Sequence, residues 1–362
     1  MQTLSLHHVW QYTDVDRAFW REHLEDWVPA EIFDAHTHVN EPRFRLEAMS
    51  DEKRRQHWFN EVCEPIGAAE AQRCHEIVFP GRKVNCLAFG LPFLDYDVEA
   101  SNAALQEECA RRGWHCLVVV PPQWSADRLA GELDGTHDPA AHGARPVSGS
   151  GVVGVKPYYT LISHDPATRD RHLEASIFDF LPPHQLEVLN RRRAWVTLHV
   201  PKAGRLGHPD NIAEVRRIRR DYPRVTLVLA HLGRSYTLPH ARESLPHFAA
   251  DEGLYFDLSA VMNPEVLGFA LETLGPDRLL YGTDNPIFYM RGRQQWQGSS
   301  YCNRTNHPFI FNRDREPPEI EARYTLYMYE ALRALRQACE KAGVGRAGVE
   351  AIFHSNARRL IP

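Results

Sequence analysis

The chain has 362 residues, of which 43% are hydrophobic and 25% are charged, and its formal net charge is −5 at pH 7. This composition is that of an ordinary globular protein, and the mildly acidic balance excludes the strongly basic surface that a nucleic-acid-binding protein needs. We expect neither a membrane span, which requires an apolar run of roughly 18 residues, nor a secretory signal at the N-terminus.

Seven cysteines are scattered along the chain, and none of them forms a C-x-x-C pair. An odd number of widely spaced cysteines indicates reduced thiols rather than a disulfide framework. Reduced thiols are typical of cytoplasmic proteins, so we expect this protein to be cytoplasmic.

Eight short apolar segments alternate with predicted helices. A helix over residues 14–27 comes first, and an insertion over 40–82 separates the first strand from the second. The predicted strands cover 31–37, 84–89, 116–120, 151–156, 194–199, 225–231, 254–259 and 278–283. The helices between them are predicted over 101–112, 126–133, 210–221 and 239–250, from near Pro183, and from Asn263-Pro264 to Gly275.

Two segments have no predicted strand or helix. A loop rich in Gly, Pro, Ser and His runs from Gly135 to Ser150, and residues 286–318 form an irregular stretch rich in aromatic residues, arginine and asparagine. A long amphipathic helix over 320–341 and a short one near 348–359 end the chain.

The strands are nearly continuous in apolar character, as strands are when both faces of a sheet are covered. Their alternation with helices suits parallel βαβ units. Eight such units predict an α/β fold, a (β/α)₈ TIM barrel with an N-terminal helical extension and insertions in its βα loops. An open doubly wound sheet is the alternative, but no glycine-rich phosphate turn follows the first strand.

We expect a single domain over residues 1–362. The barrel core covers about 31–285, an active-site loop covers 286–318, and C-terminal helices cover 320–362.

Ionisable residues end several of these strands. His36 and His38 alternate at the end of the first strand, so both side chains point the same way and form half of a metal site. Two unconnected histidines near a turn are the alternative. Active sites of TIM barrels lie at the C-terminal ends of the strands, so the strand-end residues converge on one mouth. The other strands end in, or lead into, Lys156, His199, His231 and Asp284.

Five of these residues lie in recognisable motifs: His36 and His38 in DAHTH, His199 in VTLHV, His231 in LAHLG and Asp284 in YGTDNP. In this order the motifs resemble those of the amidohydrolase superfamily of metal-dependent barrels, especially its amidohydrolase 2 branch. The closing IFHSNARRL is similar to the last helix of that family. The resemblance covers roughly residues 31–362, and the branch includes lactone hydrolases and decarboxylases of aromatic and muconate-type acids.

The resemblance implies one divalent metal, Zn²⁺ with Mn²⁺ as the alternative, held by His36, His38, His199 and Asp284. Such an ion lowers the pKa of bound water to near neutrality and polarises a bound carbonyl. His231, with an ordinary pKa of about 6.5, suits a catalytic proton shuttle. Asp284 is the second catalytic residue, since it can accept a proton while it binds the metal.

Lys156 has three interpretations. In this branch a lysine here binds a substrate carboxylate or carbonyl, which is the interpretation we favour. In two-metal members the strand-four lysine is carbamylated and bridges two ions, and His231 then binds the second ion. The third interpretation is a structural pairing with a neighbouring carboxylate.

The remaining candidates for substrate binding are Arg234, Tyr158, Asn285 and Arg291. Arg234 suits a bidentate carboxylate clamp or, alternatively, a surface position at the start of a helix. The other three lie on the fourth and eighth βα loops, which face the mouth and set specificity. Asp34 is expected either to orient the histidines by a hydrogen bond or to serve only as a turn residue.

These residues predict a metal-dependent hydrolase in which metal-bound water attacks an amide, ester or lactone bond of a small carboxylated molecule. The alternative is non-oxidative decarboxylation of an aromatic or unsaturated carboxylic acid, which uses the same ligands. Decarboxylases of the branch often carry a glutamate near the first motif, so Asp34 favours hydrolysis.

A barrel without catalysis that acts as a binding protein is the lesser alternative. We expect a small-molecule substrate, no nucleic-acid or membrane partner, and a homodimer as in many barrels of the family.

Overall fold

The computed structural model describes residues 3–56, 59–135, 151–163, 172–310, 312 and 314–362. Eight parallel strands form one sheet in which each strand pairs with its neighbours in chain order. They are β1 (Glu31–His38), β2 (Lys83–Phe89), β3 (His115–Val119), β4 (Val152–Lys156), β5 (Trp195–Leu198), β6 (Thr226–Leu229), β7 (Leu254–Asp257) and β8 (Leu279–Leu280).

Backbone hydrogen bonds join the first strand to the segment at the end of the sheet. The amide of Ala35 donates to the carbonyl of Tyr281 at 2.9 Å, and the amide of Asp284 donates to the carbonyl of His36 at 2.8 Å. Closing a sheet in this way removes its unpaired edges. The predicted TIM barrel is confirmed.

The strands are apolar because both of their faces are covered. Consecutive side chains point to opposite faces of a strand, so Phe33 and Leu117 pack inside the barrel. Their neighbours Ile32 and Val118 pack outward in the core shared with the helices.

Gly154 on β4 shows how tightly neighbouring strands approach each other. A Cβ atom at this position would lie 1.8 Å from the carbonyl oxygen of Trp195 on β5. The fully buried ring of Trp195 belongs to the interior cluster. A side chain at position 154 would therefore force the two strands apart.

Helices cover the outside of the sheet and both ends of the chain. Their bounds are Asp14–His23, Asp51–Gln56, Phe59–Val62, Ala68–Val78, Val98–Arg112, Ala126–Leu133, Ile177–Phe180, Pro183–Arg192, Pro209–Asp221, Leu238–Ser244, Pro264–Leu274, Pro318–Glu321, Tyr327–Lys341, Arg346–Glu350 and Asn356–Arg358. A π-helical turn, Ala351–Ser355, joins the last two.

Two helices begin directly after the residues that the sequence predicts as their N-caps. The hydroxyl of Ser125 accepts a hydrogen bond from the amide of Arg128. The side chain of Asn263 accepts one from the amide of Glu265, and that helix ends at Gly275 as predicted. Such side chains satisfy amides that the first helical turn leaves unpaired.

Other boundaries differ from the prediction. The first helix ends at His23 rather than near residue 27, and the long C-terminal helix begins at Tyr327 rather than at 320. The eighth strand is only Leu279–Leu280, because the chain turns towards β1 soon after it. The predicted loop from Gly135 to Ser150 lies outside the described residues, except for Gly135 itself.

The stretch over 286–318 contains an antiparallel hairpin that the sequence analysis did not predict. Its strands are β9 (Gly292–Gln297) and β10 (Ser300–Thr305). Most of their residues are polar and half-buried, so the alternation of apolar and polar residues that marks a strand is missing.

The N-terminal helix is anchored to the barrel through Arg291. Its Nη1 donates to Asp16 Oδ2 at 2.5 Å, and its Nη2 donates to the carbonyl of Tyr324 at 2.6 Å. Asp16 is fully buried and also accepts from the hydroxyl of Thr325 at 2.8 Å. The Arg291 guanidinium is therefore held in a structural network, and its predicted role in substrate binding stays a prediction.

Among the described residues, no helix combines the length and the apolar character needed to cross a bilayer. The division of the chain into one domain over 1–362 stays a prediction.

Replacing Asp16 with alanine should destabilise the fold, because it leaves the Arg291 guanidinium buried without its carboxylate. We expect the free energy of unfolding in urea to fall by about 3 kcal/mol, which is typical when one partner of a buried pair is removed. Asp14→Ala is the control, since the exposed Asp14 pairs with Arg17 on the surface and should contribute less than about 1 kcal/mol. Equal effects of the two substitutions would contradict the anchor.

Candidate metal centre

His36, His38 and Asp284 bring three potential metal-ligand atoms together at the mouth of the barrel. The Nε2 atoms of His36 and His38 each lie 3.4 Å from Asp284 Oδ1, and the three ligand atoms lie within 4.8 Å of one another. An ion with bonds of about 2.0–2.2 Å requires ligand atoms at roughly this separation. The three side chains therefore fit a shared divalent ion.

Hydrogen bonds determine which nitrogen of each histidine faces that position. His36 Nδ1 lies 2.9 Å from Asp257 Oδ2, and His38 Nδ1 lies 3.3 Å from the carbonyl oxygen of Gly90. Because a carboxylate and a carbonyl only accept, both Nδ1 atoms carry the proton and both Nε2 atoms keep a lone pair. His36 Nε2 is buried and makes no hydrogen bond to any residue that the structure describes, which fits a metal ligand.

The electrostatics favour the protonation states that a metal needs. Burial, assisted by Lys156, lowers the pKa of His36 to about 4, although Asp257 opposes the shift. Burial raises the pKa of Asp284, but His231 and the other histidines outweigh it and bring this pKa down to about 2. At neutral pH the site therefore offers a neutral imidazole at His36 and an ionised carboxylate at Asp284.

Asp257 is a site residue that the sequence analysis did not identify. Besides accepting from His36, it accepts from the backbone amide of His231 at 3.0 Å through Oδ1. Burial raises its pKa, but His36 outweighs this effect and keeps the carboxylate ionised. The signal was available, because β7 reads Leu-Tyr-Phe-Asp, so an apolar run ends in an ionisable residue here as at the other strand ends.

His231 lies beside the three candidate ligands on a left-handed turn. Its ring centroid is 4.8 Å from that of His36, and its Nδ1 lies 3.0 Å from the carbonyl oxygen of Ser259. Nδ1 therefore donates, and Nε2 keeps a lone pair for proton transfer. The turn His231–Arg234 has positive φ at all four residues, a strained conformation that clusters at functional sites.

His199 lies at the same mouth but outside the group of three. Its ring centroid is 5.4 Å from that of His231 and 4.9 Å from that of Tyr158. Burial, assisted by Arg234, lowers its pKa well below the ordinary value, and its buried Nδ1 has no hydrogen-bond partner within the described ranges. The neutral ring suits a ligand, and its assignment to the metal stays a prediction.

Lys156 is buried among the charged residues of the site. Only 1% of it is exposed, and its Nζ lies 4.6 Å from the ring centroid of Phe89. Burial lowers its pKa to about 8, while Asp257 and Asp284 oppose the shift. Its role in substrate binding stays a prediction.

Three other candidates lie near the mouth. The hydroxyl of Tyr158, which stands beside His199, lies 3.4 Å from that of Tyr159. Asn285 follows Asp284, and in the part of the chain that the structure describes both polar atoms of its buried amide lack a hydrogen-bond partner. Arg234 uses Nη1 to hold the loop after β5, donating to the carbonyl of Lys202 at 2.8 Å.

Asp34 supports the histidines from behind. Its Oδ1 accepts from the amides of His36 at 3.1 Å and Thr283 at 2.9 Å, and its Oδ2 accepts from the hydroxyl of Thr283 at 2.6 Å. These bonds join the strand end that carries the histidines to the segment after β8. Asp34 therefore holds the backbone of His36 and of Thr283 in place, and its role as an orienting residue of the histidines stays a prediction.

Replacing Asp257 with asparagine should weaken metal binding. The amide no longer provides a charged acceptor for His36 Nδ1, and losing such a partner typically costs about 10–100-fold in affinity. Equilibrium dialysis of Zn²⁺ against the wild type and D257N measures the effect. D251N changes an aspartate that pairs with Arg219 outside the site and should bind Zn²⁺ normally; equal affinity of D257N and wild type would contradict the role.

The lowered pKa of His36 predicts how the stability of the metal-free protein depends on pH. Between about pH 6.5 and 4 the unfolded chain binds a proton at His36 that the folded chain does not, so stability falls as pH falls, by at most about 3 kcal/mol. Urea unfolding with chelator at pH 7 and pH 5 should show a smaller loss for H36Q than for wild type. H208Q, at a more exposed histidine, should keep the wild-type dependence; an unchanged dependence in H36Q would refute this prediction.

Three solved structures are similar to this chain. An amidohydrolase from Burkholderia multivorans with bound zinc is 13% identical over 92% of this chain and 100% of its own, with a TM-score of 0.54. A 2,6-dihydroxybenzoate decarboxylase from Rhizobium is 15% identical over 92% and 99%, with a TM-score of 0.50. A probable 2-pyrone-4,6-dicarboxylic acid hydrolase from Acinetobacter baumannii is 13% identical over 91% and 98%, with a TM-score of 0.51. At these identities the likeness shows a shared fold.

The sequence itself also matches a known family. Comparison with curated protein sequences gives no match, but a family model described as Amidohydrolase matches residues 133–362, more than half of the chain. The matched part contains Lys156, His199, His231 and Asp284, and it confirms the resemblance seen in the motifs. The chain therefore belongs to the amidohydrolase family, in its amidohydrolase 2 branch.

Proposed function

We propose that this protein is a metal-dependent hydrolase that cleaves an amide, ester or lactone bond of a small carboxylated molecule. The observation that carries the proposal is the convergence of His36 Nε2, His38 Nε2 and Asp284 Oδ1. These three residues, with His199 as a further ligand, would hold one divalent ion, Zn²⁺ or Mn²⁺. Such an ion activates water at neutral pH and polarises a carbonyl. The zinc bound to the similar Burkholderia multivorans fold supports Zn²⁺.

The chain supplies its own groups for proton transfer. The carboxylate of Asp284 is ionised at neutral pH and can accept the proton of the attacking water. His231 Nε2 keeps a lone pair, because Nδ1 donates to Ser259, so the ring can exchange a proton with the leaving group. Lys156 is a buried amine beside these groups, and we assign it to the carbonyl or carboxylate of the substrate.

Decarboxylation is the second candidate function, because a decarboxylase shares the fold and would use the same ligands. Asp34 favours hydrolysis. Decarboxylases of the branch often carry a glutamate near this motif, whereas the Asp34 carboxylate is occupied by hydrogen bonds from His36 and Thr283. Asp34 therefore holds the backbone of the site in place rather than binding the metal.

We further propose a cytoplasmic location, since all seven cysteines are free thiols and free thiols suit a reducing compartment. The homodimer stays a prediction.

The test measures metal content and two reactions on protein purified without chelator. We expect about one Zn²⁺ or Mn²⁺ per chain by plasma mass spectrometry, and turnover of carboxylated lactones or N-acyl compounds without release of CO₂. Release of CO₂ from aromatic acids would instead identify a decarboxylase. No metal uptake and no turnover would leave a binding protein, and two ions per chain would indicate a carbamylated Lys156.

His199→Ala tests the ligand that the geometry leaves open. It should abolish both metal content and activity, with a loss of at least about 100-fold in kcat/KM. The matched control is His208→Ala, which removes a histidine next to the helix Pro209–Asp221 and should change neither quantity. Retention of metal and activity in His199→Ala would remove His199 from the site.

A further inference from the structure

A pocket extends from Asp284, the carboxylate of the candidate metal centre, to the hairpin β9–β10. Its volume of about 80 Å³ accommodates a small organic group, since one water molecule needs roughly 10–15 Å³. The hairpin contributes Gln294, Tyr301 and Asn303 to the wall. The ring centroid of Tyr301 lies 5.5 Å from that of Tyr236, another lining residue. A molecule bound at the metal would therefore be able to place a substituent against the hairpin.

The pocket is suited to an uncharged group. Of the described residues that line it, Asp284 is the only one that carries a charge, and that charge is negative. Much of the remaining wall is apolar, formed by Ala260, Ile287, Phe288 and Met290. A desolvated anion without a cationic partner is strongly unfavourable, and none of these residues would provide one.

The two faces of the hairpin differ in their chemistry. Gln294 lies directly opposite Asn303, and Arg293 lies directly opposite Arg304. Because opposite residues share a face and consecutive residues alternate between faces, the two amides point one way and the two arginines point the other. Arg293 Nε donates to Glu316 Oε2 at 3.0 Å. The charged groups of the hairpin are therefore directed away from the pocket, and its neutral amides are directed towards it.

The side-chain amides of Gln294 and Asn303 bind each other. Gln294 Nε2 donates to Asn303 Oδ1 at 3.0 Å. Gln294 Oε1 is buried and has no hydrogen-bond partner among the residues that the structure describes. Since each amide has one oxygen and one NH₂ group, the pair leaves an acceptor on Gln294 and a donor on Asn303 for a ligand. Exchanging the oxygen and nitrogen atoms of both amides would again leave one acceptor and one donor.

Backbone contacts hold the hairpin that carries this pair. The amide of Gly292 donates to the carbonyl of Thr325 at 3.0 Å, and the hydroxyl of Tyr327 donates to the carbonyl of Arg304 at 3.1 Å. A Cβ atom at position 292 would lie 1.8 Å from the Arg304 carbonyl oxygen, so the two strands approach closely at this end. Both strands are anchored, and binding a ligand therefore requires little ordering of the loop.

We propose that Gln294 and Asn303 form a subsite for an uncharged substrate group that presents a hydrogen-bond donor beside an acceptor, as a carboxamide does. The proposal rests on the proposed function and adds this group to its substrate class. Gln294 Oε1 accepts from the N–H of the carboxamide, and Asn303 Nδ2 donates to its carbonyl, while the reacting bond lies at the metal. The hairpin thereby distinguishes a carboxamide from a carboxylate of the same shape, because a carboxylate has no donor for Gln294.

The experiment compares three hydroxamates that end in a carboxamide, a carboxylate or an isopropyl group, each made with two and with three methylene groups between its ends. They are titrated calorimetrically into the zinc-loaded full-length protein. The hydroxamate binds the metal, so the isopropyl compound reports the metal centre alone and the carboxamide adds the subsite. At one chain length we expect the carboxamide to bind at least about 10-fold tighter than the isopropyl compound, as two hydrogen bonds allow.

Two variants remove the polar atoms of the subsite and nearly preserve side-chain volume. In Gln294→Met and in Asn303→Leu the advantage of the carboxamide should fall below about threefold, while the affinities of the isopropyl and carboxylate compounds stay unchanged. Gln295→Met is the matched control, because Gln295 lies on the other face of the hairpin and accepts from Arg304 Nε at 2.6 Å. It should keep the full advantage, and far-ultraviolet circular dichroism and urea midpoints confirm that each variant is folded.

The isopropyl and carboxamide compounds test the two proposals separately. If the isopropyl compound binds and the carboxamide has no advantage, the subsite is overturned. An advantage that survives in both subsite variants, or that is lost equally in Gln295→Met, also overturns it. A carboxamide that binds and weakens in Gln294→Met, while the isopropyl compound does not bind, supports the subsite and contradicts the metal centre. Failure of all the compounds to bind overturns both.

Discussion

The buried carboxylate of Asp257 connects the ring of His36, a candidate metal ligand, to the backbone of the turn that carries His231. It accepts from His36 Nδ1 at 2.9 Å and from the amide of His231 at 3.0 Å. An unpaired charge in the barrel interior would be strongly unfavourable, and these donors, with the amide of Ser259, compensate for its burial. In return the carboxylate fixes the tautomer of His36 and the start of the turn that carries His231. The arrangement of His36 and His231 therefore depends on a carboxylate that is fully buried.

Closure of the barrel and assembly of the metal centre are the same structural event. Asp284 reaches His36 and His38 only because its amide pairs with the carbonyl of His36, while Asp34 joins the same two segments from behind. Gly282 permits this approach, since a Cβ atom there would lie 2.7 Å from His36 Cβ. If β1 and the segment after β8 did not pair, Asp284 would therefore be separated from His36 and His38.

The fold and the centre of the site could be predicted because both follow from local pattern. Apolar runs ending in His36, His38 and Asp284 predict strands, and parallel strands bring their ends together. Arg291 could not be placed in this way, because its carboxylate partner Asp16 is 275 residues away and only tertiary packing joins them. The hairpin β9–β10 was missed because its polar strands lack an apolar face. Asp257 had the right pattern and was overlooked.

The left-handed turn His231–Arg234 carries the histidine beside the candidate metal ligands at its first position and, at its last, an arginine whose Nη1 donates to the carbonyl of Lys202. Three of its four residues are not glycine, yet all have positive φ, so few other conformations are open to it. A Cβ atom on the remaining one, Gly233, would lie 2.4 Å from the side chain of Leu206, so the turn is also held by packing. The backbone of this turn therefore fixes the distance between His231 and the loop after β5, and an insertion among its four residues would displace the His231 ring while leaving His36, His38 and Asp284 in place.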